Sequence, residues 1–531
     1  MCLYLMGCDS SAKGLYFNVM PLQDRSEILL LFPDTLDEDA LPTLLGTEFR
    51  LEMHPVIQSH LTYYDTFDWR LYRRSVVMFS DREQLYIQSQ QDQTIRLTAP
   101  LSTPPKFARE FPQQRWQDFL TPVIEMRALL PVVEFSLHRQ PLKLLNRDQK
   151  TVVRLFIEQI YLPGETANPV RRVLRLQSLR GYEQEFEKAL SRLTSRGFNR
   201  ESVPNWEYAL QKLGRTPGDY SAKINVALQA EMPTEAALRE LLLFLLSVIK
   251  RNEDGILRGI DTEFLHDFRV AIRRTRSAFS LMRNVFPAEK IEHFRKEFTR
   301  LAKISNSLRD LDVYLLREPQ IRAMLPNEFL AHIDPLFDHI REERKLAHSY
   351  VKDKLQEERY QKLILEWEAF LTRSEEGESL SEAHTAVKPF AARHILKRYH
   401  QIVKAGKHIH ADTPDDEFHQ LRIKCKKLRY LLEFFASLYP AEAMTRLIKQ
   451  LKRLQDHLGH FQDLCIQIEM LEQFGGIYPV HNSRDNKTLL SIGCLIGFLT
   501  AEKQSTKNHY EAVFTHFVSA QNRKLYQQLF S

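Results

Sequence analysis

Two stretches of this 531-residue chain gather the side chains best suited to gripping an anion. LHDFRVAIRRTR, Leu265 to Arg276, holds a histidine and four arginines, and FHQLRIKCKKLR, Phe418 to Arg429, repeats the arrangement. Adding 153 to 266 gives 419. His266, Arg269 and Arg276 then meet His419, Arg422 and Arg429, while Arg273 and Arg274 meet Lys426 and Lys427. On a helix, His266, Arg269, Arg273 and Arg276 fall at i, i+3, i+7 and i+10 and share one side, as do His419, Arg422, Lys426 and Arg429. Four like charges over about three turns repel one another. Either carboxylates neutralise them from within, or a multivalent anion does so from outside. Asp310, Asp312 and Asp463, with Arg309, are the acids and base placed to build internal ion pairs. Arginine offers a planar fork for two oxygens and lysine a mobile point charge, a mixture suited to a flexible phosphorylated polymer.

The histidines donate to phosphate in either protonation state. Neighbouring Arg and Lys disfavour the imidazolium, and a bound polyanion favours it. Neither His266 with His419 nor the KHIH pair, His408 and His410, has metal-ligand spacing, so no metal and no cofactor is expected.

The elements that must hold these residues change character along the chain. From about Arg25 to Leu190, EILLLF, EFRLEM, SVVMFS, QLYIQSQ, TIRLTA, VVEFSLHR, VVRLFIEQIYL and VLRLQSL predict seven or eight short strands of an antiparallel α+β domain. Pro204, Gly214, Pro217 and Gly218 interrupt both periodicities, which makes 201–220 a linker. Beyond it nearly every segment has helical period, including 238–257, 262–285, 288–316, 329–373, 381–405, 415–437, 441–472, 486–500 and 505–530. The 153-residue shift also superposes Phe286–Pro287 on Tyr439–Pro440, Leu301 on Leu454 and Asp310–Leu311 on Asp463–Leu464. This predicts a duplicated helical bundle, repeat one about 235–372 and repeat two about 383–531, each half needing the other to cover its apolar faces. RSEEGESLSE, Arg373 to Glu382, reads as the surface connection between them.

A net charge of +6 permits an anionic partner without demanding one. Five scattered cysteines without a CxxC pair fit a reducing cytoplasm. ALRELLLFLLSVI, Ala237 to Ile249, carries Arg239 and Glu240 and reads as a buried helix, so no membrane partner is expected. MCLYLMGC, ending at Cys8, lacks the basic leader of a secretion signal.

HDFRVAIRRTR, His266 to Arg276, followed by LRDLDV, Leu308 to Val313, resembles the CHAD domain, the conserved-histidine α-helical domain. HQLRIKCKKLR and QDL, Gln462 to Leu464, form a weaker second copy. The resemblance covers about 221–531 and implies two repeated helical bundles enclosing a basic surface that binds inorganic polyphosphate. It assigns phosphate contact to His266, Arg269, Arg273, Arg274 and Arg276, then His419, Arg422, Lys426, Lys427 and Arg429. Asp310 and Asp463 become organisers of basic side chains. Gln462 stands where the repeat has an arginine, which predicts a weaker second half.

YYDTFDWRLYR, Tyr63 to Arg73, resembles the CYTH domain, a triphosphate-tunnel fold, over about 20–200. Active relatives line an antiparallel tunnel with paired acids for Mg²⁺ or Mn²⁺ and with basic residues for triphosphate. This chain departs from that pattern. Glu27 stands alone in EILLLF, Glu48 and Glu52 have the wrong spacing, VVMFS lacks arginines, TIRLTAP lacks the lysine, and Arg175 and Gln177 stand where alternate acids belong. The expectation is a degenerate, noncatalytic tunnel-like domain before a polyphosphate-binding helical domain, in the cytoplasm at polyphosphate granules. A metal-dependent triphosphatase, a nucleic-acid-binding module and a protein scaffold are the competing readings.

Overall fold

In the computed structural model, which describes residues 27–165, 167–373 and 380–531, the chain divides into two units after Tyr220. Cys2, Cys8, the MCLYLMGC start, residues 20–26 of the expected tunnel-like domain and 374–379 of the acidic connection lie outside the described residues.

The period-two segments of the first unit form ten strands: β1 (Glu27–Leu31), β2 (Arg50–Met53), β3 (Ile57–Thr66), β4 (Val76–Ser80), β5 (Leu85–Ser89), β6 (Ile95–Ala99), β7 (Leu129–Leu145), β8 (Thr151–Tyr161), β9 (Arg171–Ser178) and β10 (Asn199–Glu201). They make one sheet in the order β10-β1-β9-β8-β7-β3-β4-β5-β6, with β2 paired to β7, and every pairing is antiparallel. Helices α1 (Ala40–Leu45), α2 (Gln114–Ile124), α3 (Glu183–Thr194) and α4 (Asn205–Lys212) complete the unit. The α1 and α3 side packs Leu41, Leu45, Phe186 and Leu190 against Leu144, Leu155 and Leu176. On the opposite face, Val133, Phe135, Leu137 and Ile160 meet Trp206 and Leu210 of α4.

The expected linker 201–220 is therefore part of this unit. Pro204 is the N-cap of α4, and Gly214 and Gly218 take φ of +72° and +78° in the turns after it. Trp69 Nε1 donates to Asp219 at 2.8 Å, and the Arg73 guanidinium donates to the Tyr220 carbonyl at 2.9 Å. Proline and glycine mark turns here, and a buried tryptophan anchors the segment.

The second unit is helical: α5 (Thr234–Leu257), α6 (Thr262–Ala278), α7 (Ala288–Ile304), α8 (Asn306–Leu316), α9 (Glu318–Met324), α10 (Asn327–Leu330), α11 (Asp334–Gln356) and α12 (Glu358–Thr372), then α13 (Val387–Gly406), α14 (Asp415–Phe434), α15 (Ala441–Ile477), α16 (Ser483–Asn508), α17 (Tyr510–Phe517) and α18 (Ala520–Phe530). The first three helices of each half start 153 residues apart, at 234 and 387, 262 and 415, and 288 and 441. Ser305 splits the third helix of the first half into α7 and α8, whereas α15 runs on for 37 residues.

The halves meet through reciprocal bonds. Pro233 and Ala386, equivalent positions, form an antiparallel bridge. Thr234 N donates to Thr385 O and Val387 N to Met232 O, both at 2.9 Å. Glu235 N donates to Ala383 O at 3.0 Å and Lys388 N to Ala230 O at 3.2 Å. Each pair maps onto the other when 153 is exchanged between donor and acceptor. That is the signature of a local two-fold axis relating the repeats.

Candidate anion-binding site

Helices α6 and α14 are equivalent across this axis, and each buries a leucine- and phenylalanine-rich side. Phe264, Leu265, Phe268 and Ile272 hold α6 in the bundle; Phe418, Leu421, Leu428 and Leu432 hold α14. Asp261 caps α6 by accepting from the N–H groups of Glu263 and Phe264. The charged positions on the remaining faces then separate into three environments.

In the first, Arg269, Arg273, Arg422 and Lys426 converge with Arg309 of α8. Arg269 donates to Ser305 Oγ at 2.8 Å and to the Ala302 carbonyl at 3.3 Å, both neutral acceptors. Burial, then the charge of Arg273, brings the Arg269 guanidinium down to about 10. Burial followed by Arg422 and Arg273 brings Lys426 down to about 7. Burial also lowers Arg422, against the pull of Asp463 and with the push of Arg273. Among the described residues, the Nε–H groups of Arg273 and Arg422 are buried without a hydrogen-bond acceptor. A buried donor left unmade costs about 1–3 kcal/mol. Arg273 lies at the centre, since its charge acts on Arg269, Arg309, Arg422 and Lys426 alike.

The acids beside this group do not balance it. Asp463 accepts from Arg317 at 2.6 Å. Asp312 is buried against Arg344 at 2.6 Å, and Glu263 faces Arg309 at 3.8 Å. Asp310 is exposed at the surface, yet its carboxyl rises because neighbouring atoms desolvate it and Asp463 repels it, against Arg269 and Arg309. Asp310 and Asp463 thus sit at the edge of the cationic group, each weakened as a neutraliser.

The second environment is closed. Glu433, one turn beyond Arg429, accepts from Arg429 Nε at 2.7 Å and from Arg274 at 2.6 Å across the axis. Arg274 also donates to the Ala222 carbonyl at 2.8 Å, and Arg429 reaches Gln455 at 3.4 Å. Arg274 and Arg429, both expected at the ligand, share one internal carboxylate in the structure. Subtracting 153 from Glu433 gives Ser280, an exposed hydroxyl. Hence the third environment, the symmetry mate of the second, holds Arg276 and Lys427, and among the described residues neither has an ion pair with an acid. Both are exposed, and burial lowers both, with Arg276 among the charges acting on Lys427.

The histidines sit at the near end of each helix. His419 Nδ1 donates to Gln462 Oε1 on α15, so the residue standing in for an arginine orients an imidazole. Its mate Arg309 instead donates to the Thr262 carbonyl at 3.3 Å. His266 is partly buried on α6. His408 and His410 lie past the end of α13, where His410 pairs with Glu511 at 3.0 Å.

In the first unit the charges cancel. Glu158, 0% exposed, accepts from Arg139 at 2.7 Å and Arg175 at 2.9 Å, and from Asn205 at 2.7 Å; Arg175 also pairs with Glu27. Burial would raise the Glu158 carboxyl, but Arg175 and Arg139 outweigh it and hold it at about 2. Tyr63 stacks with Phe79, Phe135 and Trp206 on the same face. Glu52 lies 3.8 Å from Lys143. Arg171 is buried on Glu201 at 2.9 Å. The YYDT aspartate, Asp65, is a turn-former, accepting the backbone N–H groups of Thr66, Leu71 and Tyr72 at 2.7, 2.9 and 2.9 Å. Burial raises its carboxyl to about 6 against those bonds. Carboxylates held this way do not fit a Mg²⁺ site, and among the described residues no three His, Cys, Asp or Glu side chains are grouped for a metal ion. Nor is any described helix long and apolar enough to cross a membrane.

A family model, the CHAD domain, matches residues 240–472. No curated protein matches the chain in sequence. Among solved structures, the CHAD domain from the plant Ricinus communis is 22% identical with a TM-score of 0.47, covering 56% of this chain and 95% of its own. PptA from Streptomyces chartreusis is 16% identical with a TM-score of 0.41, covering 56% and 99%. HpAC1 from Hippeastrum, an adenylyl cyclase candidate with a dominant triphosphatase activity, is 11% identical with a TM-score of 0.25, covering 37% and 99%.

Proposed function

We propose, from a helical unit whose residues 240–472 form a CHAD domain, that this protein binds inorganic polyphosphate without hydrolysing it. The observation that supports this reading above all others is the group of Arg269, Arg273, Arg309, Arg422 and Lys426, crowded from two repeats with too few acids to balance it. Such a group is unfavourable by itself and becomes favourable when a polyanion enters: each phosphate oxygen accepts a charge-assisted bond, and the buried Nε–H groups of Arg273 and Arg422 gain acceptors. Arg274 and Arg429, already spent on Glu433, hold the helices together instead. His266 and His419 stand one turn before Arg269 and Arg422 and extend the row of donors.

Hydrolysis by the first unit needs carboxylates free to hold a metal. Glu27 and Glu158 are engaged by arginine, and Glu52 lies beside Lys143, so no step is assigned to them. The role that follows is capture: the protein is held at, or brings a partner to, polyphosphate deposits in the cytoplasm.

The test is a calorimetric titration of the full chain with long-chain polyphosphate, comparing wild type with Arg273→Gln/Lys426→Gln and checking folding by circular dichroism. Loss of about 100-fold in affinity is expected, since each charged hydrogen bond is worth roughly 1.5–3 kcal/mol. Equal affinity in the folded variant would refute the reading. Orthophosphate release from tripolyphosphate with Mg²⁺ present would restore the enzyme alternative, and equal competition by RNA the nucleic-acid one.

A further inference from the structure

The two repeats carry different charge on their first helix. Helix α5 carries Glu235, Glu240, Glu253 and Asp254 against Arg239, Lys250 and Arg251. Arg239 pairs with Glu235 at 2.7 Å and Lys250 with Glu368 at 3.0 Å. Its mate α13 has the sequence VKPFAARHILKRYHQIVKAG, with five lysines and arginines and no carboxylate at all. Arg393 pairs with Glu382, and Lys388 lies over the Tyr439 ring at 5.9 Å. Lys397, Arg398 and Lys404 remain, and among the described residues none of them has an ion pair. Arg398 donates only to the neutral Gln401, at 2.9 Å.

Helix α13 packs along α14, and the edge of α14 beside it presents half-buried Lys424 and exposed Lys427, three residues apart on one face. Arg398, Lys424 and Arg276 are the charges that act on Lys427, while Arg276 also acts on Arg269 inside the cleft. The cationic surface is therefore continuous from Arg309, through Arg273 and Arg269, past Arg276 and Lys427, and out to Arg398. Along α6 alone, Arg269 to Arg276 spans about 10 Å at 1.5 Å per residue. A single phosphate fills one station on this path, and only a chain occupies all of them.

Resting on the polyphosphate reading above, we propose that Arg276, Lys424, Lys427 and Arg398 form an exit track on the repeat-two side, which makes binding depend on chain length. Short chains use the cleft between α6 and α14, and long chains gain further affinity by continuing over α13. Among the described residues repeat one has no such branch, because α5 is charge-balanced and Glu433 closes the equivalent corner.

Two variants test this in the full chain, with tripolyphosphate and a long-chain polyphosphate as probes. Lys424→Gln/Arg398→Gln removes cations from the track. Ser280→Glu removes none, but places a carboxylate in the turn after α6 at the position equivalent to Glu433, near Arg276 and Lys427; Ser280 is exposed, so the variant is expected to fold, which circular dichroism checks. Each variant is expected to bind the long chain about tenfold more weakly and tripolyphosphate as wild type does. The slope of log K against log salt for the long chain should fall by about two for the double variant. Unchanged long-chain affinity in both variants overturns the proposal, as does equal loss for both probes. Weakened binding of single-stranded RNA with long polyphosphate unaffected assigns α13 to a nucleic-acid surface and also overturns it. Failure of wild type to bind either polyphosphate sinks the underlying reading, whereas chain-length-independent binding abolished by Arg273→Gln/Lys426→Gln sinks only the track.

Discussion

Arginines on the sheet face around Glu158 and arginines in the cleft between α6 and α14 are chemically alike and electrostatically opposite. In the sheet, Arg139 and Arg175 share a fully buried carboxylate, Glu27 adds a second, and aromatic rings from β3, β4, β7 and α4 fill the space beside them. In the cleft, Arg269, Arg273, Arg422 and Lys426 face one another, and the acids within reach are paired elsewhere or set at the rim. What distinguishes a structural cation from a binding one is the accounting of its neighbours, not its residue type or burial.

The contrast is broken most directly in the sheet. Glu158→Gln strands two guanidinium groups in a buried setting and should cost the first unit about 3–5 kcal/mol, read as an earlier urea transition of that unit, with polyphosphate affinity unchanged. The same substitution at Glu433 should cost less, about 2–3 kcal/mol, because Arg429 is partly exposed and keeps Gln455. Lys426→Met should do the reverse. The Lys426 amine is depressed in the folded state, so the folded protein holds fewer protons than the unfolded chain between about pH 7 and the ordinary lysine range. Stability is therefore lost as pH falls through that window, and it stays low below about 7. The methionine variant should melt a few degrees higher than wild type at pH 7 and show a flatter dependence of Tm on pH over the same window.

Binding sharpens the comparison further. A polyanion raises the Lys426 amine, so polyphosphate capture should take up protons near pH 8 and weaken as pH rises from about 7 toward 9. Titrations in two buffers of different ionisation enthalpy measure that uptake. Lys426→Gln should abolish most of it, and a value unchanged in the variant would place the titrating group elsewhere. The smallest effect is expected at Gln462. Its replacement by Ala frees the His419 ring from its orienting bond and should weaken long-chain binding only two- to threefold.

Much of this was legible in the residue order. The 153-residue shift located the repeats and the starts of α6 and α14, because periodicity and helix-breaking prolines are local signals. The cationic stripe was equally plain. Its division was not: Arg274 and Arg429 are spent on one carboxylate, and only packing across the two-fold axis brings Arg274 to Glu433. The Arg429 and Glu433 spacing of four residues was a usable hint that half of this pairing existed. The 201–220 segment has the proline and glycine content of a linker because those residues punctuate packed turns as well. Lys397, Arg398 and Lys424 lie outside the histidine-bearing motif, and their only mark in the residue order is the absence of any acid across α13.

The antiparallel bridge between Pro233 and Ala386 joins residues that a pair of identical subunits would offer to each other. Carrying both copies on one polypeptide removes the constraint that a change on one side must appear on the other. Glu433 could arise opposite a serine, and a charge-balanced helix opposite a cationic one, without either being duplicated. A tethered pair of this kind can evolve an inlet and an outlet from what began as two equal doors.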